Sequence, residues 1–255
     1  MKKGKRTIVA NWKMNPGTLA EARVLFAKTK RAASRLESVL TVICPPFPYL
    51  GAFAGGATTR VALGAQDAFY ANGGRATGEV SPEMLRDLGV SFVILGHSER
   101  RAQGESDEVV AKKLRAALAE GITPIVCIGE RERDPEARYF DLLKRQIGGS
   151  LAPIRKPDFR NIMIAYEPLW AIGKSARDAM TPRDIRETAI FVRKALADLF
   201  GQETAAVPQI LYGGSVEEAN TAEILREGGV DGLLVGHASL ESDAFTTMLR
   251  LANAV

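Results

Sequence analysis

Lys13, His97 and Glu167 bring an amine, an imidazole and a carboxylate, and each stands where a short apolar run of the chain stops. Taken singly, each has an ordinary use as a solvated loop cation, a hydrogen-bonded structural histidine or a salt-bridge partner. Their shared position at the ends of such runs is what those uses leave unexplained. A carboxylate base, a hydrogen-bond donor for an oxygen and a fixed positive charge together suit moving a proton beside a carbonyl, with the charge facing the enediolate that forms. Two further runs stop at glycine-containing turns, Gly213-Gly214-Ser215 and Gly236-His237. Backbone N–H groups in turns that lead into helices favour a phosphate, so the ligand expected here is small, carbonyl-bearing and phosphorylated.

Other chemistries find little support. The chain has two histidines and two cysteines, with no Cys-x-x-Cys or His-x-x-x-His spacing and no cluster of carboxylates at neighbouring run ends, so no metal site is read. No nucleophile elbow or dinucleotide fingerprint occurs, and no cofactor is expected.

Positioning three such groups together requires a scaffold, and the chain repeats one pattern eight times. Apolar, β-branched runs at 7–12, 40–44, 61–66, 91–96, 122–129, 161–167, 209–213 and 231–236 alternate with longer amphipathic segments. The runs lack the polar alternation of half-exposed strands, which predicts parallel strands buried on both faces. Helix starts are signalled by Ser81-Pro82-Glu83 and Thr181-Pro182-Arg183-Asp184, and Ser215-Val216-Glu217-Glu218 reads as a capping box headed by Ser215. Ser98-Glu99 opens a short helix directly after His97. Eight βα units in about 250 residues predict an α/β fold, a closed (β/α)8 barrel forming a single domain over 1–255. An open doubly wound sheet lacks its Gly-rich first turn here. In such a barrel, active sites lie at the carboxyl ends of the strands, where the polar residues above fall.

Composition agrees with an ordinary globular chain: 255 residues, 46% hydrophobic and 25% charged, with 24 Gly and 12 Pro. A formal charge of +4 is mild, and no run of basic residues interleaved with aromatics follows the Lys2-Lys3-Gly4-Lys5-Arg6 start, so no nucleic-acid partner is read. The longest apolar runs are far below the ~20 residues that span a bilayer, and no export signal is read. The cytoplasm is the expected compartment, with Cys44 and Cys127 as reduced, buried thiols.

The motifs Asn11-Trp12-Lys13-Met14-Asn15, Gly64-Ala65-Gln66, Thr77-Gly78-Glu79-Val80-Ser81, Gly96-His97-Ser98-Glu99-Arg100-Arg101, Cys127-Ile128-Gly129-Glu130, Ala165-Tyr166-Glu167-Pro168-Leu169-Trp170-Ala171-Ile172-Gly173 and Tyr212-Gly213-Gly214-Ser215-Val216 resemble those of the triosephosphate isomerase family, in its order. The resemblance implies interconversion of dihydroxyacetone phosphate and D-glyceraldehyde 3-phosphate, a step of glycolysis and gluconeogenesis, without cofactor or metal. It implies Glu167 as base, on a loop that closes over the ligand, and His97 as a neutral hydrogen-bond donor. Lys13 would supply charge, Asn11 a hydrogen bond to substrate oxygens, and Glu99 the positioning of Lys13 and His97. The backbone of Gly173, Ser215, Gly236 and His237 would hold the phosphate. The neutral imidazole at a helix start and the closing loop are well-known features of the family that the motifs resemble. The segment 67–78 resembles the loop with which family members reach a twofold partner, implying a homodimer.

Three departures from the family pattern stand out: Lys174-Ser175-Ala176 with an insertion up to Met180 at the far hinge of the closing loop, Asp67 for a usual Asn, and His237 for a second Gly. An isomerase for a four-carbon ketose phosphate needs the same groups with more room. A silent barrel that binds sugar phosphates is disfavoured by the presence of all three reactive groups.

Overall fold

The computed structural model describes residues 5–134, 136–152, 154–171, 173 and 179–255. Its elements follow the order β1 (Arg6–Asn11), α1 (Leu19–Ala33), β2 (Val39–Cys44), α2 (Phe47–Phe53), β3 (Val61–Ala65), α3 (Pro82–Asp87), β4 (Val90–Leu95), α4 (Ser98–Ala102), α5 (Asp107–Ala119), β5 (Thr123–Ile128), α6 (Tyr139–Leu151), β6 (Met163–Tyr166), α7 (Pro182–Phe200), β7 (Gln209–Tyr212), α8 (Glu218–Glu227), β8 (Gly232–Val235) and α9 (Ser242–Ala254). The eight strands form a closed barrel, each parallel to its neighbours, and β1 seals it by pairing with β8 in the register Val9↔Leu234.

Both faces of the strands are buried, which is why their sequences read as continuous apolar runs. Val9, Val42, Ile94, Ile125, Cys127, Ala165, Leu211 and Leu234 fill one cluster inside the barrel. Ile8, Ala10, Ile43, Leu63, Val93 and Val126 belong to a second, packed between sheet and helices. Helix α7 shows how the outer layer is specified. Its buried residues Ile185, Thr188, Ala189, Val192, Ala195 and Leu196 recur at helical spacing, Pro182 fits the first turn, and Thr181 caps it by accepting from the Asp184 N–H at 3.2 Å. Ser81 caps α3 in the same way through Met84 N at 3.1 Å. Among the described residues, no helix is long and apolar enough to cross a membrane.

Two expectations about helix starts are corrected. Helix α8 begins at Glu218 with Glu217, not Ser215, as its cap, and Asn220 Oδ1 accepts from the Glu217 N–H at 2.9 Å. Glu217 and Asn220 stand at capping-box spacing one register later, and Glu217 has the extended backbone a cap requires. Ser215 is thereby left in the turn ahead of the helix. Gly236 likewise leads first into a four-residue 3-10 turn, His237–Leu240, and only then into α9.

Candidate active site

The carboxyl ends of β1, β4, β6, β7 and β8 surround a cavity of about 310 Å³, lined by Asn11, Lys13, His97, Glu167, Gly173, Ser215, Gly236 and His237 among others. These are eight of the nine positions singled out in the sequence, and the ninth, Glu99, is bonded to Lys13. A larger cleft of about 450 Å³ lies between α4 and the β5–α6 connection but holds none of the nine.

Lys13 sits just past β1 with a left-handed backbone, φ 51°, which is uncommon and strained for a residue with a side chain. Two side chains hold it there: Asn11 Oδ1 accepts from the Lys13 N–H at 3.0 Å, and Gln66 Nε2 donates to the Lys13 carbonyl at 2.7 Å and to that of Cys44 at 2.9 Å. Asn11 therefore has a second duty beyond the substrate contact expected of it, and the bond to its oxygen leaves Nδ2 as the group able to donate to a ligand. Gln66 closes the motif Gly64-Ala65-Gln66, and its support of Lys13 is a finding of the structure. Its polar side chain at the end of an apolar strand was the signal. The Lys13 ammonium meets Glu99 Oε1 at 2.5 Å. Burial works to raise the Glu99 carboxyl, but the hydrogen bond and charge of Lys13, helped by His97, outweigh it and hold the group below the usual carboxylate range.

His97 is buried at the start of the single turn α4. The Glu99 N–H donates to Nδ1 at 3.2 Å, which favours the neutral tautomer that carries its proton on Nε2. That Nε2 lies 3.2 Å from Glu167 Oε1. Helix formation by Ser98 and Glu99 thus fixes the ring through a backbone donor at its own first turn.

Glu167 is also buried, and its second oxygen accepts from the Ser98 N–H at 3.3 Å. Two glycines allow its approach. A Cβ on Gly129 would fall 1.9 Å from the Glu167 carbonyl oxygen, and one on Gly213 would fall 2.9 Å from Glu167 Cγ. Beneath lies Cys127, whose thiol is pushed up first by burial and then by the charge and hydrogen bond of Glu167. Both cysteines are free and buried, as expected.

At the other end of the cavity, Ser215 is buried, His237 is exposed, and Gly173 has φ 73°. The Lys13 stem runs close to the β8 turn, since a Cβ on Gly236 would stand 3.4 Å from Lys13 Cε. The Lys13 side chain therefore passes the β8 turn and ends on Glu99. The closing-loop insertion at 174–180 falls mostly outside the described residues, as 174–178 do.

A family model described as triosephosphate isomerase matches residues 6–252. The chain is 46% identical to the triosephosphate isomerase of Thermus thermophilus over 97% of its own length and 99% of the relative's. It is 45% identical to that of Symbiobacterium thermophilum and 42% identical to that of Dehalococcoides mccartyi, each over 96% of both chains. With barrel, strand-end chemistry and near full-length similarity in agreement, the chain belongs to the triosephosphate isomerase family.

Proposed function

We propose that this protein interconverts dihydroxyacetone phosphate and D-glyceraldehyde 3-phosphate by proton transfer through an enediolate, with Glu167 as the base. The observation that carries this reading is the 3.2 Å approach of His97 Nε2 to Glu167 Oε1 while Nδ1 is occupied by a backbone N–H. A substrate carbonyl that accepts from Nε2 has its neighbouring carbon within reach of the carboxylate, so donor and base act on adjacent atoms. Glu167 removes the proton from one carbon and returns it to the next, while His97 Nε2 gives its proton to the carbonyl oxygen and takes the hydroxyl proton from the other oxygen, so that carbonyl and hydroxyl exchange places. Lys13, held by Asn11, Gln66 and Glu99, faces the enediolate and the phosphate without having to move.

The backbone of Gly173, Ser215, Gly236 and His237 holds the phosphate in this account. A cavity of about 310 Å³ has the size of a site for a small ligand. The chain works as one (β/α)8 domain over 1–255, in the cytoplasm, as a homodimer joined through the loop 67–78. Free buried cysteines suit a reducing compartment. Met14, 92% exposed, and Tyr70, 44% exposed, supply apolar surface beside and on that loop that a partner would cover.

A coupled assay with three-carbon and four-carbon ketose phosphates at equal concentration tests the proposal. Turnover with a higher kcat/KM for the three-carbon substrate is expected. Preference for the four-carbon substrate, or binding without turnover of either, contradicts it.

A further inference from the structure

We propose that Asp67 is a positioning residue for the isomerisation: its negative charge, acting through Arg100 and Lys113, fixes the turn that carries His97, Ser98 and Glu99. Asp67 follows β3 at the rim of the active-site face, two residues beyond the strand. Both of its oxygens lie 2.8 Å from Lys113 Nζ, and Oδ2 lies 2.9 Å from Arg100 Nη2. Arg100 belongs to α4, the turn whose Ser98 N–H holds Glu167 and whose Glu99 holds Lys13. On its other side Arg100 Nε donates to Glu105 Oε1 at 3.2 Å, and Lys113 Nζ meets that same oxygen. Two carboxylates and two cations thus form a neutral, closed cluster in which Asp67, Glu105 and Lys113 are almost wholly buried.

Within this cluster Asp67 is not the member that lends stability. Burial raises the Asp67 carboxyl more than Lys113 and Arg100 lower it, and the neighbouring charge of Glu105 adds to the rise. A carboxyl whose folded pKa lies above its unfolded one favours the fold in its protonated form, so ionised Asp67 costs stability at neutral pH. Glu105 behaves oppositely: burial is outweighed by its bonds to Lys113 and the charge of Arg100, and it is held below the usual range. Lys113 therefore keeps a counter-ion without Asp67, although Glu105 Oε2 remains buried with no hydrogen-bond partner. What Asp67 alone adds is a second grip on Arg100. The groups facing it are Lys113 from α5, Arg100 from α4 and Glu105 from the connection between them. Glu79, just past the loop 67–78, lines a cavity of about 280 Å³ with Arg100, Glu105 and Lys113. Burial makes Asp67 take up its proton at a higher pH than an ordinary aspartate, and that protonation loosens the grip on α4.

The inference rests on the catalytic reading of His97, Glu99 and Glu167 given above. Its test measures kcat and KM from about pH 5 to about pH 8, with melting temperature at neutral pH, for Asp67→Asn and Arg100→Gln. Both variants should lose about threefold or more in kcat near pH 8, with KM changed by less than about twofold, because the turn moves while the phosphate grip does not. For Asp67→Asn the deficit should close as pH falls, since the wild-type chain then carries a neutral side chain at 67 as well. Asp67→Asn should melt no lower than wild type, and the double variant should be no slower than the slower single one. Wild-type kcat in Asp67→Asn near pH 8, or loss of folding in that variant, overturns the proposal. Failure of the underlying site reading shows separately, as wild-type turnover when Glu167 itself is shortened.

Discussion

At the scale of single residues, the reactive groups were legible because their chemistry is out of keeping with the apolar runs they end. Lys13, His97 and Glu167 need no structure to be noticed. What holds them was harder to see: Gln66 reaches Lys13 across 53 positions, and Asp67 reaches Lys113 across 46. No local pattern encodes such pairs. Lys13→Ala removes the ammonium that faces substrate charge in both ground and transition states, so KM should rise and kcat fall together in steady-state kinetics. The same change frees Glu99, whose lowered carboxyl lends stability above its ordinary range and loses it as pH falls through the folded value. The stability gap between wild type and Lys13→Ala should therefore narrow on acidification, as followed by chemical denaturation. His237 departs from the family's glycine, yet among the described residues the non-glycine ones with positive φ are Lys13 and Ala137, so position 237 does not need glycine. His237→Gly should lower stability by about 0.5–1 kcal/mol through greater freedom of the unfolded chain, measured by urea denaturation. A gain in stability would show strain that the backbone does not display.

At the scale of elements, the strands were readable to within about two residues because burial on both faces leaves them no polar alternation. The cap of α8 was misplaced for a physical reason. Ser215 and Glu218 carry capping-box residues, but so do Glu217 and Asn220, and only the extended backbone at Glu217, φ −130°, decides between them. That choice matters, since it leaves the Ser215 turn facing the cavity instead of tied to a helix end. Close packing between β5 and β6 is a second element-level device. A Cβ on Gly129 meets Glu167 backbone at 1.9 Å, and a main chain cannot swing aside as a flexible side chain can. Gly129→Ala should displace the base and lower kcat about tenfold or more, beyond its cost in stability. Circular dichroism and kinetics on the same sample check this, and a folded variant with wild-type kcat would show that β6 tolerates the shift.

At the scale of the whole molecule, the closed barrel brings five strand ends, widely separated in sequence, to one rim, and the helices outside spend their apolar faces on holding it shut. The proposed homodimer belongs to this scale. Sedimentation equilibrium should give twice the 27.5 kDa of the chain, and shortening the loop 67–78 at Gly73-Gly74, where there is open space around both glycines, should yield a folded monomer of reduced kcat. A wild-type monomer that is fully active would remove the partner from the account. The central claim is narrower: one buried carboxylate moves the proton. Glu167→Asp draws that group back by one methylene while keeping its charge, and a displacement of about 1 Å costs on the order of a hundredfold in rate. Steady-state isomerisation by Glu167→Asp, with binding of inorganic phosphate as the control for an intact site, is the most direct measurement. The account predicts a kcat about a hundredfold lower with phosphate affinity unchanged, and turnover at the wild-type rate would contradict it.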